Sequence, residues 1–295
     1  MEYELQLTQN KDHCRIRFPA MASLCEILID TQDTQLALKL GHLARDEAQR
    51  IEQKFSRYRN DNIVAQINNS DGKSISVDEE MALMLSFATT LWELSDGRFD
   101  ITSGVLRTVW TFDGSDRLPT QQQVAEVKQR VGWEKVQWQA PSLTLPAGME
   151  IDLGGIGKEY AVDKVSELLN QHWQGSVLVN FGGDLRCNLA RQSGSGWHVG
   201  IEKVHADEAQ TFIELKEGGL ATSGDQRRFL QKDNVRYSHI LDPRTGWPVT
   251  GAPHSITAIG PTCLQAGMFS SLAMLMGSDA ESFLNEQDVR FWSMR

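Results

Sequence analysis

Two short stretches of this chain bring together residue types that could do chemistry. Ile151-Asp152-Leu153-Gly154-Gly155-Ile156-Gly157-Lys158 places glycines between a strand-like apolar run and a helix-like run, with a lysine directly after. Backbone N–H groups at such a turn can approach anionic oxygens closely, and the helix start and the lysine both add positive potential. A phosphate would suit it. The stretch is neither a Walker A loop nor a complete dinucleotide fingerprint, because Glu159 follows Lys158 and Asp152 stands where the former needs glycine. A ligand-free strand-to-helix turn would have the same composition. The second stretch is Tyr237-Ser238-His239-Ile240-Leu241-Asp242-Pro243-Arg244-Thr245-Gly246-Trp247-Pro248. A histidine at a strand end, held by a rigid Asp-Pro turn, has the near-neutral pKa that general acid–base work needs. A hairpin turn with a hydrogen-bonded histidine is the plain alternative.

Three further clusters are less distinctive alone: Gly97-Arg98-Phe99-Asp100-Ile101-Thr102, Asn180-Phe181-Gly182-Gly183-Asp184 and Thr222-Ser223-Gly224-Asp225. Each is compatible with turn chemistry. Ser223 lies in no G-x-S-x-G elbow, which argues against a serine hydrolase. Asp78-Glu79-Glu80 reads as a complement to a helix dipole. Cys14, Cys25, Cys187 and Cys263 have no zinc spacing and read as reduced core thiols.

These groups must be positioned by elements the sequence also implies. The 295 residues are 40% apolar and 23% charged, enough to bury a core without metals or disulfides as staples. A formal charge of −10 argues against a broad nucleic-acid or anionic-membrane surface. The start of the chain lacks an export-signal pattern and no apolar run is long enough to span a bilayer, so the expectation is a soluble, cytoplasmic protein. Cys25–Asp30 reads as a first strand, and apolar spacing through Leu36, Leu40, Leu43, Ala44, Ala48 and Ile51 predicts a helix over 34–55. A second helix is expected from Asp78 to Leu94, and Thr120 should cap another that reaches Arg130. Strands are expected at 136–138, 143–145 and 149–153, then a helix from the glycine turn to about Asn170. Further strands are read at 176–180, 197–202, 211–215, 235–241 and 255–259, with a buried helix over 262–276. The fold class is α+β, mostly antiparallel sheet covered by helices. One domain spanning 1–295, or two intimate lobes, fits the absence of any linker.

Taken in order, Phe55-Ser56-Arg57-Tyr58 with Asn68, Phe99-Asp100-Ile101-Thr102, the Asp152-to-Lys158 run, Asn180-Phe181-Gly182-Gly183-Asp184, Thr222-Ser223-Gly224-Asp225 and the His239-to-Gly246 run resemble the ApbE family of FAD:protein FMN transferases. The resemblance extends from about Phe18 to Gly277 and implies an ApbE-like (T-fold-like) architecture. It further implies an enzyme that uses magnesium to cleave the pyrophosphate of FAD, joins FMN to a Thr or Ser hydroxyl of an acceptor protein and releases AMP. By the same resemblance Met21, Tyr58, Arg98, Phe99, Asp100, Asp152, Lys158, Asp225 and Leu241 would contact FAD. His239 would assist proton transfer, and the Gly155 carbonyl and Ser271 hydroxyl would remain as metal ligands. The chain departs from the family where Gly267 replaces an aspartate four residues before Ser271, Glu159 a glycine, Val105 a proline, and Met21-Ala22-Ser23 the commoner Met-Gly-Thr. Loss of that aspartate leaves two alternatives open: a flavin-binding protein with impaired catalysis, serving as sensor, carrier or scaffold, and a FAD pyrophosphate hydrolase.

Overall fold

Alternating apolar residues build the largest element, an eight-stranded sheet in the computed structural model, which describes residues 5–201, 212–225 and 229–295. Its strands are β1 (Gln6–Gln9), β2 (Cys14–Ala20), β3 (Ser23–Ile29), β4 (Val177–Phe181), β5 (Asp184–Cys187), β6 (Gly218–Gly224), β7 (Ser255–Gly260) and β8 (Phe291–Met294), adjacent in that order and antiparallel at every pairing. The registers Cys25↔Phe181 and Ile27↔Val179 set these side chains on one face, while Leu28↔Leu178 and Leu178↔Cys187 lie on the other. Cys25–Asp30, read as the first strand, is the third: two earlier strands have alternation diluted by Arg, Gln and Thr.

One face carries a helical layer. Helix α1 (Thr34–Phe55) starts where Asp33 accepts from Gln35 N and Leu36 N, and buries Ala37, Leu40, Ala44, Ala48 and Ile51 at helical spacing. After the short α2 (Ile63–Asn68) comes α3 (Glu79–Leu94), capped by Asp78; α4 (Gln121–Lys128) follows, with a capping box between Thr120 and Gln123. Two helices then cover the sheet, α5 (Gly157–His172) against β4 and β5 and α6 (Cys263–Met276) against β6 and β7; α7 (Ala280–Glu286) packs on α6. The opposite face is covered by a ribbon of Trp197–Gly200 and Phe212–Leu215, through Trp197, Ile213 and Leu215. Expected strand residues 202 and 211 lie outside the described residues.

A separate apolar cluster of Val105, Leu106, Trp110, Val124, Val127, Val131 and Leu230, with Leu241 and Trp247 against it, supports the histidine hairpin. Two strand expectations need correction. Residues 149–153 pair with no strand, because Pro146 and Gly148 precede them and a side-chain amide takes up both backbone groups of Ile151. The run 235–241 divides into Val235–Ser238 and Leu241–Asp242, since Ser238 Oγ accepts from Ile240 N and turns the chain at His239. No helix is long and apolar enough to cross a membrane among the described residues.

Candidate active site

The glycine turn is delivered by polar contacts. Asn68, the last residue of α2, donates Nδ2 to Ile151 O at 3.1 Å and accepts from Ile151 N at 2.7 Å, so one amide side chain replaces a missing strand neighbour. Asp152 N donates to Ile101 O at 2.8 Å, and Asp152 Oδ1 accepts from Gly154 N at 2.9 Å. The backbone then closes through Gly157 N to Leu153 O at 2.7 Å, and α5 begins without a side-chain cap. A helix start of this kind, followed by lysine, attracts anions.

Lys158 Nζ lies 2.7 Å from Asp184 Oδ2, and Asp184 is buried. Burial pulls the ammonium down, but the adjacent Asp184 carboxylate outweighs it and the pKa of Lys158 is raised. Three chain segments meet here: a Cβ on Gly182 would stand 3.0 Å from Ser23 Cβ and 3.8 Å from Lys158 Nζ. That places the Met21-Ala22 turn, left-handed at both residues (φ 53 and 55), beside the lysine.

Glu159 follows with only 8% exposure. Its Oε2 has no hydrogen-bond partner, and burial, reinforced by the charge of Asp184, pushes its pKa up to about 8. The space it fills is the one opened by Gly267 of α6, where a Cβ would stand 2.6 Å from Glu159 Cγ. Ser271 lies one turn further along the same helix, its Oγ 3.1 Å from Ser223 Oγ, which is also 2.9 Å from Ser270 Oγ. Among the described residues no three His, Cys, Asp or Glu side chains gather as a metal nest. A hard cation takes oxygen donors, and the orphaned, buried Glu159 Oε2 beside Gly267 is a donor of that kind.

The turn and the hairpin face one cavity of 140 Å³, lined by Arg98, Phe99, Asp152, Gly155, Leu241 and Leu275 among others. A larger one of 670 Å³ adjoins it through Asp100 and Pro243. The Phe99 ring lies 3.2 Å from where a Cβ on Gly155 would be. Arg98 donates to Ser95 O at 3.2 Å. Asp100 has its carboxylate taken up by Thr102 N, Thr102 Oγ1 and Trp133 N at 2.7, 2.6 and 2.9 Å, and burial raises its pKa against those bonds. Tyr58 is 79% exposed, with the Arg57 guanidinium 4.8 Å from its ring centre and 3.0 Å from Asp152 Oδ2. Arg57 stands within the Phe55-to-Tyr58 motif but carries no assigned role there, and its ion pair with Asp152 brings it to the glycine turn.

Asp225 accepts from Arg236 Nη2 at 3.1 Å and lies 3.4 Å from His254 Nδ1. Nothing in the sequence singles out His254, which lies 29 residues from the Asp225 it meets. His239 sits in the hairpin break with its ring centroid 6.3 Å from that of Phe112. Trp110 fastens this hairpin by donating Nε1 to Gly246 O at 2.9 Å and meeting Trp247 edge-on at 5.2 Å. Asp242 steadies the following turn by accepting from Arg244 N at 2.9 Å. Leu241 brings the hairpin onto the cavity that Gly155 also lines.

This arrangement has relatives. The sequence model of the ApbE family matches residues 21–291. The FAD:protein FMN transferase of Salmonella typhimurium is 30% identical over 273 residues, 88% of this chain and 77% of that protein, and the one of Vibrio cholerae is 29% identical over 237 residues, 78% and 71%. The solved ApbE protein of Thermotoga maritima superposes with a TM-score of 0.85 at 27% identity, covering 98% of this chain and 94% of its own. The apo flavinyl transferase ApbE of Pseudomonas stutzeri shares the fold, with a TM-score of 0.85 at 24% identity over 100% and 93%. With a family match that runs from the Met21 turn through the glycine-lysine turn and the histidine hairpin to the last strand, the chain belongs to the ApbE family.

Proposed function

We propose that this protein cleaves the pyrophosphate of FAD and transfers FMN to a Thr or Ser hydroxyl of an acceptor protein. The observation that carries this reading is that the glycine turn and the histidine hairpin, far apart in sequence, line one cavity through Gly155 and Leu241. The acceptor oxygen forms a bond to the FMN phosphorus, the P–O bond to the AMP half breaks, and AMP leaves. The hydroxyl proton passes to a base, for which His239 is the candidate. Lys158 and the uncapped start of α5 supply positive potential near the phosphates, while half-buried Arg57 adds charge and exposed Tyr58 offers a stacking face. Arg98, Phe99 and Leu241 line the cavity, and Met21 is the further FAD contact this reading assigns. Asp100 and Asp225 remain FAD contacts in this reading, with carboxylates that also accept hydrogen bonds from the protein.

Magnesium belongs to this reading: Gly155 and Ser271 would help to hold it, and when bound it neutralises pyrophosphate charge. The acceptor is a protein bearing an Asp-Gly-x-Thr-Gly-Ala-Thr type of segment. Incubation with FAD, magnesium and such an acceptor should give a flavin-fluorescent protein band and equimolar AMP. FMN and AMP formed without acceptor would replace this reading with a hydrolase. FAD bound but recovered intact would mark a binding protein.

A further inference from the structure

The helical layer buries more carboxylates beside the site than it buries cations. Glu159 and Asp163 of α5 and Asp184 of the β5 strand it covers are buried, against Lys158 and Arg186. Asp163 caps α6, accepting from Cys263 N at 2.9 Å and Leu264 N at 2.8 Å, and also pairs with Arg186; Asp184 has Lys158. The excess falls on Glu159, whose Oε2 is partnerless although the residue is 8% exposed. An uncompensated buried carboxylate is costly and calls for a cation or a proton. Its location favours the cation. The side chain occupies the volume that opens over Gly267, on the α6 face that also presents Ser271, and it springs from the first turn of α5, four residues after Gly155 in the chain.

We propose that Glu159 is the carboxylate ligand of a divalent cation in this protein, reaching from α5 into the space that the missing side chain of Gly267 leaves on α6. The two departures from the family pattern at 159 and 267 are then one exchange: the carboxylate has crossed from one helix to the other, and neither change is tolerable alone. An aspartate at 267 would collide with Glu159, its Cβ only 2.6 Å from Glu159 Cγ. This inference rests on the proposed flavin transfer for its purpose, but its test is separate.

Mn²⁺ is titrated into the full-length protein and followed by the electron paramagnetic resonance of the free ion, with and without ADP as a pyrophosphate-bearing probe. Glu159→Gln, nearly isosteric, should weaken Mn²⁺ binding by roughly tenfold or more while thermal unfolding shows a folded protein. Gly267→Asp alone should be destabilised and bind poorly. Glu159→Gly combined with Gly267→Asp should recover binding to within about threefold of the parent, a strong non-additivity. Equal Mn²⁺ affinity in Glu159→Gln and the parent, no Mn²⁺ binding by the parent, or additive effects in the cycle would overturn the assignment. Failure of flavin transfer with Mn²⁺ binding still sensitive to position 159 would instead overturn only the proposed reaction.

Discussion

The two walls of the cavity are built differently. The wall made by the glycine turn, which runs on into Lys158, stands on the main core: α5 and α6 are packed on the sheet, and Asn68, Asp184 and Ile101 fix the chain by hydrogen bonds and an ion pair. The wall made by the histidine hairpin stands on a much smaller cluster, where Trp110 holds Gly246 and Trp247 and Phe112 meets His239. A phosphate-facing wall works by electrostatic preorganisation, which requires fixed dipoles and charges. A proton-transferring side chain needs its position only to within hydrogen-bond reach of the reacting hydroxyl. Damage on the first wall should therefore appear in nucleotide affinity, and damage on the second in turnover.

The largest effect is expected at the second wall. His239→Ala should lower the flavin-transfer rate by roughly 10²–10⁴-fold with FAD affinity unchanged, measured by stopped incorporation and by flavin fluorescence titration. Equal loss of both would make the histidine part of the binding wall and erase the contrast. Trp110→Ala removes the indole that anchors the hairpin and should cost about 3–5 kcal/mol in urea unfolding, with residual turnover falling more than FAD affinity. Unaltered turnover in the folded fraction would show that the hairpin is held by something else.

On the first wall, Asn68→Ala leaves Ile151 N and O without partners and should cost about 1–3 kcal/mol, with weaker FAD binding as the turn loosens. A variant with full affinity would mean that the turn holds its shape through Ile101 alone. The frame behind this wall has a pH signature. Glu80 of α3 accepts from Arg50, Lys54 and the Tyr160 hydroxyl, tying three helices, and Arg50 foremost draws its pKa from 4.5 to about 2. A depressed carboxylate contributes stability above its unfolded pKa and loses it as pH falls through the folded value. Urea midpoints of the parent and Glu80→Gln should thus differ at pH 7 and converge between pH 4.5 and about 2. The smallest effect belongs to the turn beside Lys158: Ala22→Gly should raise stability by about 1 kcal/mol, because alanine there bears a positive φ of 55. No gain would show that the turn's strain is relieved by its neighbours.

Much of the frame could be read from local pattern. Helix α1 follows from apolar spacing after Asp33, and Thr120 announces its helix through a capping box, because both signals lie within a few residues of one another. Strands β1 and β2 were illegible for the opposite reason: their identity depends on pairing with β3 and on which face is covered. The extended run 149–153 looked like a strand because strand-forming residues fill it, yet its partner is the side chain of Asn68.

The chain's residue types and their order determined that a glycine-lysine turn and a histidine hairpin exist, and the ordered motifs pointed to the ApbE family, since backbone preferences and side-chain chemistry are properties of short segments. Only the tertiary structure decided that Asp225 looks toward His254, that Arg57 reaches Asp152, and that Glu159 fills the gap over Gly267. Those relations join residues separated by long stretches of chain, and packing in three dimensions, which no local pattern encodes, sets which carboxylate is satisfied and which is left without a partner.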